Sequence, residues 1–202
     1  MILDWPDCTN VRDLGGLATA DGRRIRADAL LRSDSHHLLT AAAVEAIRSG
    51  GVRRIVDLRW PAECVLRPSP FAQDPLYVNV PLLGEADYAW VPENYAGMLE
   101  CNRPQIGAAF RAVAEAPAGG VVVHCHAGQD RTGVLVALAL LVAGVAEDDI
   151  ADDYALTAEA SRDVMVNTLD HLREAYGDVT KYLADCGVDA THVAAMRSRL
   201  VE

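Results

Sequence analysis

Lysine is almost missing from this chain of 202 residues: of its 18 basic residues only Lys181 is a lysine. Acidic residues number 29, and the formal net charge of -11 gives a field that repels polyanions. That excludes nucleic acid as a general partner and stable electrostatic association with an anionic membrane. Any affinity for phosphate has to be local. Cysteine is sparse too. Cys8, Cys64, Cys101, Cys125 and Cys186 are odd in number, widely scattered and without a CxxC spacing. Neither a disulfide framework nor a structural zinc site is expected, and a reduced, cytoplasmic setting is. The first residues, Met1 to Pro6, lack the basic and apolar regions of a signal peptide. No apolar run reaches membrane-spanning length, since the longest, 134–145, is short and contains Gly144. It is expected to be a buried helix. Aromatic residues make up only 5% of the chain, while alanine and leucine are abundant, which suits a helix-rich α/β protein. The length fits a single domain over 1–202.

Local patterns divide the chain into alternating strands and helices. Residues 25–32 read as a strand, and Thr40 is expected to cap a helix over 41–48 that Gly50 and Gly51 end. An apolar strand follows at 52–58. A connection over 61–75 carries one helical turn, and 76–82 is the next strand. From 84 to 103 the pattern weakens, with Tyr88, Trp90, Tyr95 and Met98 among polar residues, and reads as a surface excursion or a lid. Pro104 opens a helix reaching Ala116, and 117–120 break it before the strand 121–124. Beyond Thr132 everything reads as helix: 133–143, 148–156, 158–176, 179–186 and 190 to the end. The expected class is α/β, a central, mainly parallel sheet flanked by helices with a helical C-terminal half. In such sheets ligands bind at the carboxyl ends of the strands.

One such end carries chemistry. Positions 124–133 read HCHAGQDRTG, directly after Val121, Val122 and Val123 and directly before a helical pattern. Between a strand and a helix the backbone amides of His126, Ala127, Gly128, Gln129, Asp130 and Arg131 can turn inward as an anion nest at a helix N-terminus. Cys125 would lie at its floor, where the same field favours the thiolate that attacks phosphorus. Arg131 would close the ring with a planar fork that grips two phosphate oxygens. The small hydroxyl of Thr132 completes the pattern. The lone cysteines elsewhere read as packing, and His36, His37, His171 and His192, without metal-ligand spacing, read as solvated. Asp148, Asp149, Asp152 and Asp153 read as helix-start charges.

On these residues the chain resembles the cysteine-dependent phosphatases, and more narrowly the bacterial tyrosine phosphatase family 3. The narrower match rests on Asn10-Val11-Arg12-Asp13-Leu14-Gly15-Gly16, Leu31-Arg32-Ser33, Val56-Asp57-Leu58-Arg59, the loop itself and Asp152-Asp153-Tyr154. The resemblance implies hydrolysis of phosphomonoesters through a phosphocysteine at Cys125, with no metal or other cofactor. It implies phosphorylated protein or phosphoinositide as substrate and an affinity of the loop for inorganic phosphate or sulfate. Asp130 is the family's favoured general acid and Thr132 a donor to the cysteine sulfur. His124 orients the loop, Gly133 supports it, and Arg59 is a candidate substrate contact. Asp74, Asp87 and Glu93 are alternative acids. Trp5-Pro6-Asp7 spells the acid-loop motif of larger tyrosine phosphatases, but at the wrong end of the chain. Gln129 stands where the family usually has lysine. That removes a rim charge, which His126 is expected to replace in part. Two other functions compete: a rhodanese-like sulfurtransferase carrying a persulfide on the same thiol, and a module that captures phosphate esters without turnover.

Overall fold

The structure, a computed structural model, describes residues 3, 5, 7–84 and 91–202. Val121, Val122 and Val123 are apolar in unbroken sequence, so the strand that carries them has to be covered on both faces. It is. This strand, β5 (Gly120–His124), is numbered after β1 (Arg12–Asp13), β2 (Leu30–Ser33), β3 (Val52–Asp57) and β4 (Tyr77–Asn79), and lies in the middle of a sheet ordered β1-β2-β5-β3-β4. All pairings are parallel except β1 with β2. The register aligns Ser33, His124 and Asp57 as a row across the carboxyl ends of β2, β5 and β3. Whatever follows these three residues meets at one edge of the sheet.

One face of the sheet carries α1 (Ala41–Ser49), over a small core of Leu31, Ile47, Val52, Ile55, Phe71 and Val122. Thr40 caps this helix as expected, its Oγ1 accepting from the Ala43 amide at 3.4 Å. The other face carries the larger core, built from α4 (Arg103–Ala114), α5 (Asp130–Ala143), α7 (Arg162–Tyr176), α8 (Val179–Asp185) and α9 (Ala190–Leu200). Between α5 and α7 lies α6 (Glu147–Ala155). Helix α5 is apolar on nearly every side and accordingly buried on nearly every side.

Two strands are shorter than the sequence suggests. Residues 25–32 pair only over Leu30–Ser33, because Asp28 takes a left-handed φ of 58° and turns the chain out of line. Ile25 bridges Val201 instead. On the far edge, β4 ends at Asn79 before Pro81, which has no amide to extend a ladder. The connection 61–75 holds a full helix, α2 (Pro61–Leu66), and the weakly patterned stretch contains α3 (Ala96–Cys101). Tyr88 and Trp90, on which the lid reading rested, and the alternative acid Asp87 lie outside the described residues. Among those residues no helix is long and apolar enough to cross a membrane, and no group of ligating side chains could hold a metal ion.

Candidate active site

Cys125 follows β5 directly and is buried at the base of a loop that ends where α5 begins. The loop's carbonyls are tied outward one after another. The His126 oxygen accepts from the Ser35 amide at 2.9 Å, that of Ala127 from Asn10 Nδ2 at 2.9 Å, and that of Gly128 from Arg32 Nη2 at 2.8 Å. In a planar trans peptide the N–H points opposite to the C=O. Three outward carbonyls therefore turn the amides of Ala127, Gly128 and Gln129 toward the concave side, beside the positive end of α5. Glycine is required within this curve. Gly128 has φ 69°, and a Cβ there would lie 2.4 Å from the Ser33 carbonyl oxygen. At Gly133 a Cβ would press on the Tyr154 ring at 2.8 Å, so the glycine lets α5 approach α6 closely.

The arginines that hold the loop are themselves held by one carboxylate. Asp153, buried on α6, receives Arg12 Nε at 2.8 Å and Arg32 Nη1 at 2.7 Å, and Arg12 Nη1 fixes Asn10 Oδ1 at 2.6 Å. The helix-start reading of Asp153 is thus corrected: it is a hub buried between two guanidiniums. Two charges of one sign and one of the other, removed from water together, hold only as a complete set. Asp148 and Asp149 do open α6, while Asp152 pairs with Arg162 outside.

Behind the nucleophile lies a second buried network. His124 donates from Nδ1 to the Cys125 carbonyl at 3.1 Å, and its Nε2 is 3.6 Å from Asp57 Oδ2. Its ring stacks on His36, with centroids 4.2 Å apart. His36 is fully buried rather than solvated, and binds Ser33 Oγ at 3.0 Å. Burial pushes the proton affinity of both imidazoles down, and for His36 the neighbouring His124 adds to it. Neutral rings suit an orienting role for His124.

Arg59 does not reach a ligand-facing surface. It is fully buried, its Nε and Nη2 bind Asp57 at 3.0 and 2.6 Å, and its Nη1 donates to the Arg67 carbonyl at 2.8 Å. The expected substrate contact is a brace for the chain after α2, because its guanidinium is fully enclosed and no ligand can reach it.

Arg131 stands at the mouth. Its Nη1 and Nη2 fork onto Glu63 of α2 at 2.6 and 3.1 Å, and its Cζ lies 5.8 Å from the Trp60 ring centroid. Burial raises the proton affinity of Glu63, but the Arg131 hydrogen bonds outweigh it and hold the carboxyl below its usual range. Asp130 is the first residue of α5, and the Tyr95 hydroxyl donates to its Oδ1. Tyr95 in turn meets the Tyr154 hydroxyl at 2.6 Å. Burial first, and Asp130 second, push the Tyr95 hydroxyl up, so it stays a donor. Thr132 is fully buried and its hydroxyl has no partner among the described residues, so the bond to the Cys125 sulfur is not formed in this structure. Of the other acids, Asp74 pairs with Arg48, Asp7 accepts from the Thr40 amide, and Glu93 takes Asn167 at its backbone carbonyl.

A buried cysteine at the carboxyl end of a parallel strand, with loop amides turned inward and Arg131 held on Glu63 at the start of the following helix, defines the class: an α/β protein with a thiol at the base of a strand–helix loop. A sequence model of the tyrosine phosphatase family matches residues 3–202, and the chain belongs to that family. It is 36% identical over 168 residues to a provisionally named tyrosine-protein phosphatase of Cupriavidus necator, covering 75% of this chain and 61% of that protein. To a tyrosine-protein phosphatase of Nostoc commune it is 32% identical over 146 residues, 66% of this chain and 50% of that one. The chain thus spans between half and three fifths of the length of these curated relatives. Among solved structures it is similar to the core catalytic domain of the PP-IP phosphatase SIW14 from S. cerevisiae in complex with citrate. The TM-score there is 0.47 at 15% identity, covering 81% of this chain and 84% of that one.

Proposed function

We propose that the chain hydrolyses phosphomonoesters, phosphotyrosine in proteins first, through a phosphocysteine at Cys125. The observation that carries this is the run of three outward-bound carbonyls that turns the loop amides onto the space above a buried cysteine. Phosphoryl transfer needs in-line placement and neutralised charge more than elaborate covalent chemistry, and amides plus an arginine fork supply both. In the first step the Cys125 thiolate attacks phosphorus, an S–P bond forms, and the ester P–O bond breaks as Asp130 gives its proton to the leaving oxygen. In the second, Asp130 takes a proton from a water that attacks phosphorus, and the S–P bond breaks to release orthophosphate and thiolate. The Thr132 hydroxyl, which has no partner among the described residues, is assigned to the departing sulfur. Residues 3–202 act as one phosphatase domain, and the five free cysteines fit a reducing cytoplasm.

A panel of phosphotyrosine, phosphoserine and phosphothreonine peptides with phosphoinositides tests the substrate class, with Cys125→Ser as the blank. The wild type should turn over phosphotyrosine peptides and the blank nothing. Asp130→Asn should cost most with poor leaving groups; wild-type rates on those substrates would remove Asp130 as the acid. Thiocyanate and sulfite formed from thiosulfate and cyanide would favour the sulfurtransferase instead.

A further inference from the structure

Helix α2 does more than deliver Glu63. Its C-terminal cap, Arg67, reaches over the phosphate loop and donates from Nη1 to His126 Nε2 at 3.1 Å. An arginine can only donate, so this imidazole nitrogen accepts. His37 lies parallel to His126, with ring centroids 6.4 Å apart. These three side chains come from three separate segments and line one cavity of about 790 Å³, whose floor includes the loop residues Ala127 and Gln129. Among the described residues Arg67 has no carboxylate within ion-pair distance. Its backbone, however, is fixed from both sides: its amide donates to the Glu63 carbonyl at 2.9 Å and its carbonyl accepts from buried Arg59 at 2.8 Å. A rigidly seated cation without a counter-charge, in a chain of net charge -11, calls for an anion from outside.

The negative groups around the cavity are Asp7, Asp34 and Glu159. Asp34 is engaged by the Thr9 amide and hydroxyl and by the Asn10 amide, and Asp7 by the Thr40 amide. Glu159 is exposed at the outer edge. The local field is positive at His37 all the same. After burial, the guanidiniums of Arg67 and Arg59 push its proton affinity down, and Asp34 pushes the other way.

We propose that Arg67, His126 and His37 form a second anion subsite beside the phosphate loop, taking a second phosphoryl group carried by the same ligand. The inference rests on reading the Cys125 loop as the first phosphate site. It also supplies what Gln129 removed: the rim charge comes from α2, across space, rather than from the loop. A planar guanidinium with one imidazole at hydrogen-bond distance matches the oxygens of a phosphoryl group better than a single carboxylate.

Calorimetric titration with orthophosphate, pyrophosphate and tripolyphosphate, on wild type and on Arg67→Ala and Arg67→Lys, tests this, with aryl phosphate turnover measured in the same preparations. The wild type should hold at least one polyphosphate about tenfold more tightly than orthophosphate. Arg67→Ala should bring that ratio close to one, and Arg67→Lys should restore part of it. A wild-type ratio near one, or a ratio that survives Arg67→Ala, overturns the subsite. So does a preference confined to aspartate-flanked phosphotyrosine peptides, which would make the cluster a peptide contact. Absent turnover with the ratio intact would overturn the phosphatase reading and leave the subsite standing.

Discussion

Arg59 and Arg131 each grip a carboxylate with two guanidinium contacts, Asp57 at the end of β3 and Glu63 on α2. The first pair is wholly buried, whereas the side chains of the second are 14% and 28% exposed. Identical chemistry therefore serves two ends. In the interior neither partner can exchange its ion for anything, because leaving the other uncompensated is costly, so Asp57–Arg59 is scaffold. At the mouth water and ligands can compete, so the Arg131 fork is held in position and remains available to a phosphate. The same contrast separates Asp153, enclosed between Arg12 and Arg32, from Asp130, partly exposed under the Tyr95 hydroxyl.

The sharpest way to break this comparison is to make the same substitution at both arginines. Arg59→Lys, which keeps the charge but not the fork, should destabilise the fold by about 1–3 kcal/mol, the cost of leaving buried polar groups unsatisfied, while the folded fraction keeps kcat/KM on an aryl phosphate within about threefold. Arg131→Lys should do the reverse: urea stability close to wild type, and kcat/KM lower by about 100- to 1,000-fold for the loss of a transition-state donor. If both variants lost stability and neither lost turnover selectively, burial would not be what divides the two pairs.

A smaller effect follows from acid. Burial pushes the Asp57 carboxyl up, but the hydrogen bonds from Arg59, with its charge, overcome it and bring the group from 3.8 down to about 2. The folded state then binds fewer protons than the unfolded state between these values. The Asp57 contribution is fully present above about pH 4 and is lost as pH falls through about 2. A shift of this size is worth about 2 kcal/mol. Denaturant midpoints between pH 5 and pH 2 should show that slope, and Asp57→Asn should flatten it.

The division between scaffold and mouth also sets how much could be read from the sequence. Val121 to Val123, the loop and α5 are contiguous and obey local rules, so Cys125, Arg131 and the strand–turn–helix order were legible. Asn10, Arg12, Arg32 and Asp57 entered the sequence reading only as members of the motifs that carry the family resemblance. Partners joined only by the fold were not. Glu63 is 68 positions from Arg131, Tyr95 is 35 from Asp130, and Arg67 is 59 from His126. No periodicity encodes such pairings. Arg59 failed for a related reason: a sequence names an arginine after a strand but not the direction of its side chain, and here it turns back onto Asp57 two residues earlier. Trp60-Pro61-Ala62-Glu63 did hold a local signal, a proline at the start of a helix with a glutamate in its first turn. Read that way, the helical turn expected within 61–75 would have been placed at its start, with Glu63 on it.

The finest test of the contrast is Glu63→Gln, which keeps the shape at the mouth but removes the charge and one of the two acceptor oxygens. In the resting protein both Glu63 oxygens face the Arg131 fork, and Oε2 also accepts from the Trp60 amide at 2.8 Å. A phosphate dianion entering the cradle meets that negative charge. Neutralising Glu63 should therefore tighten orthophosphate inhibition by about two- to threefold through lower repulsion. The guanidinium loses its charged anchor at the same time, and kcat should fall about tenfold, worth roughly 1.4 kcal/mol of positioning. Opposite changes in binding and turnover are the signature of a residue that aims Arg131 without touching substrate. Parallel losses in both would place Glu63 with the Asp57 kind, as scaffold, and erase the difference between the two pairs.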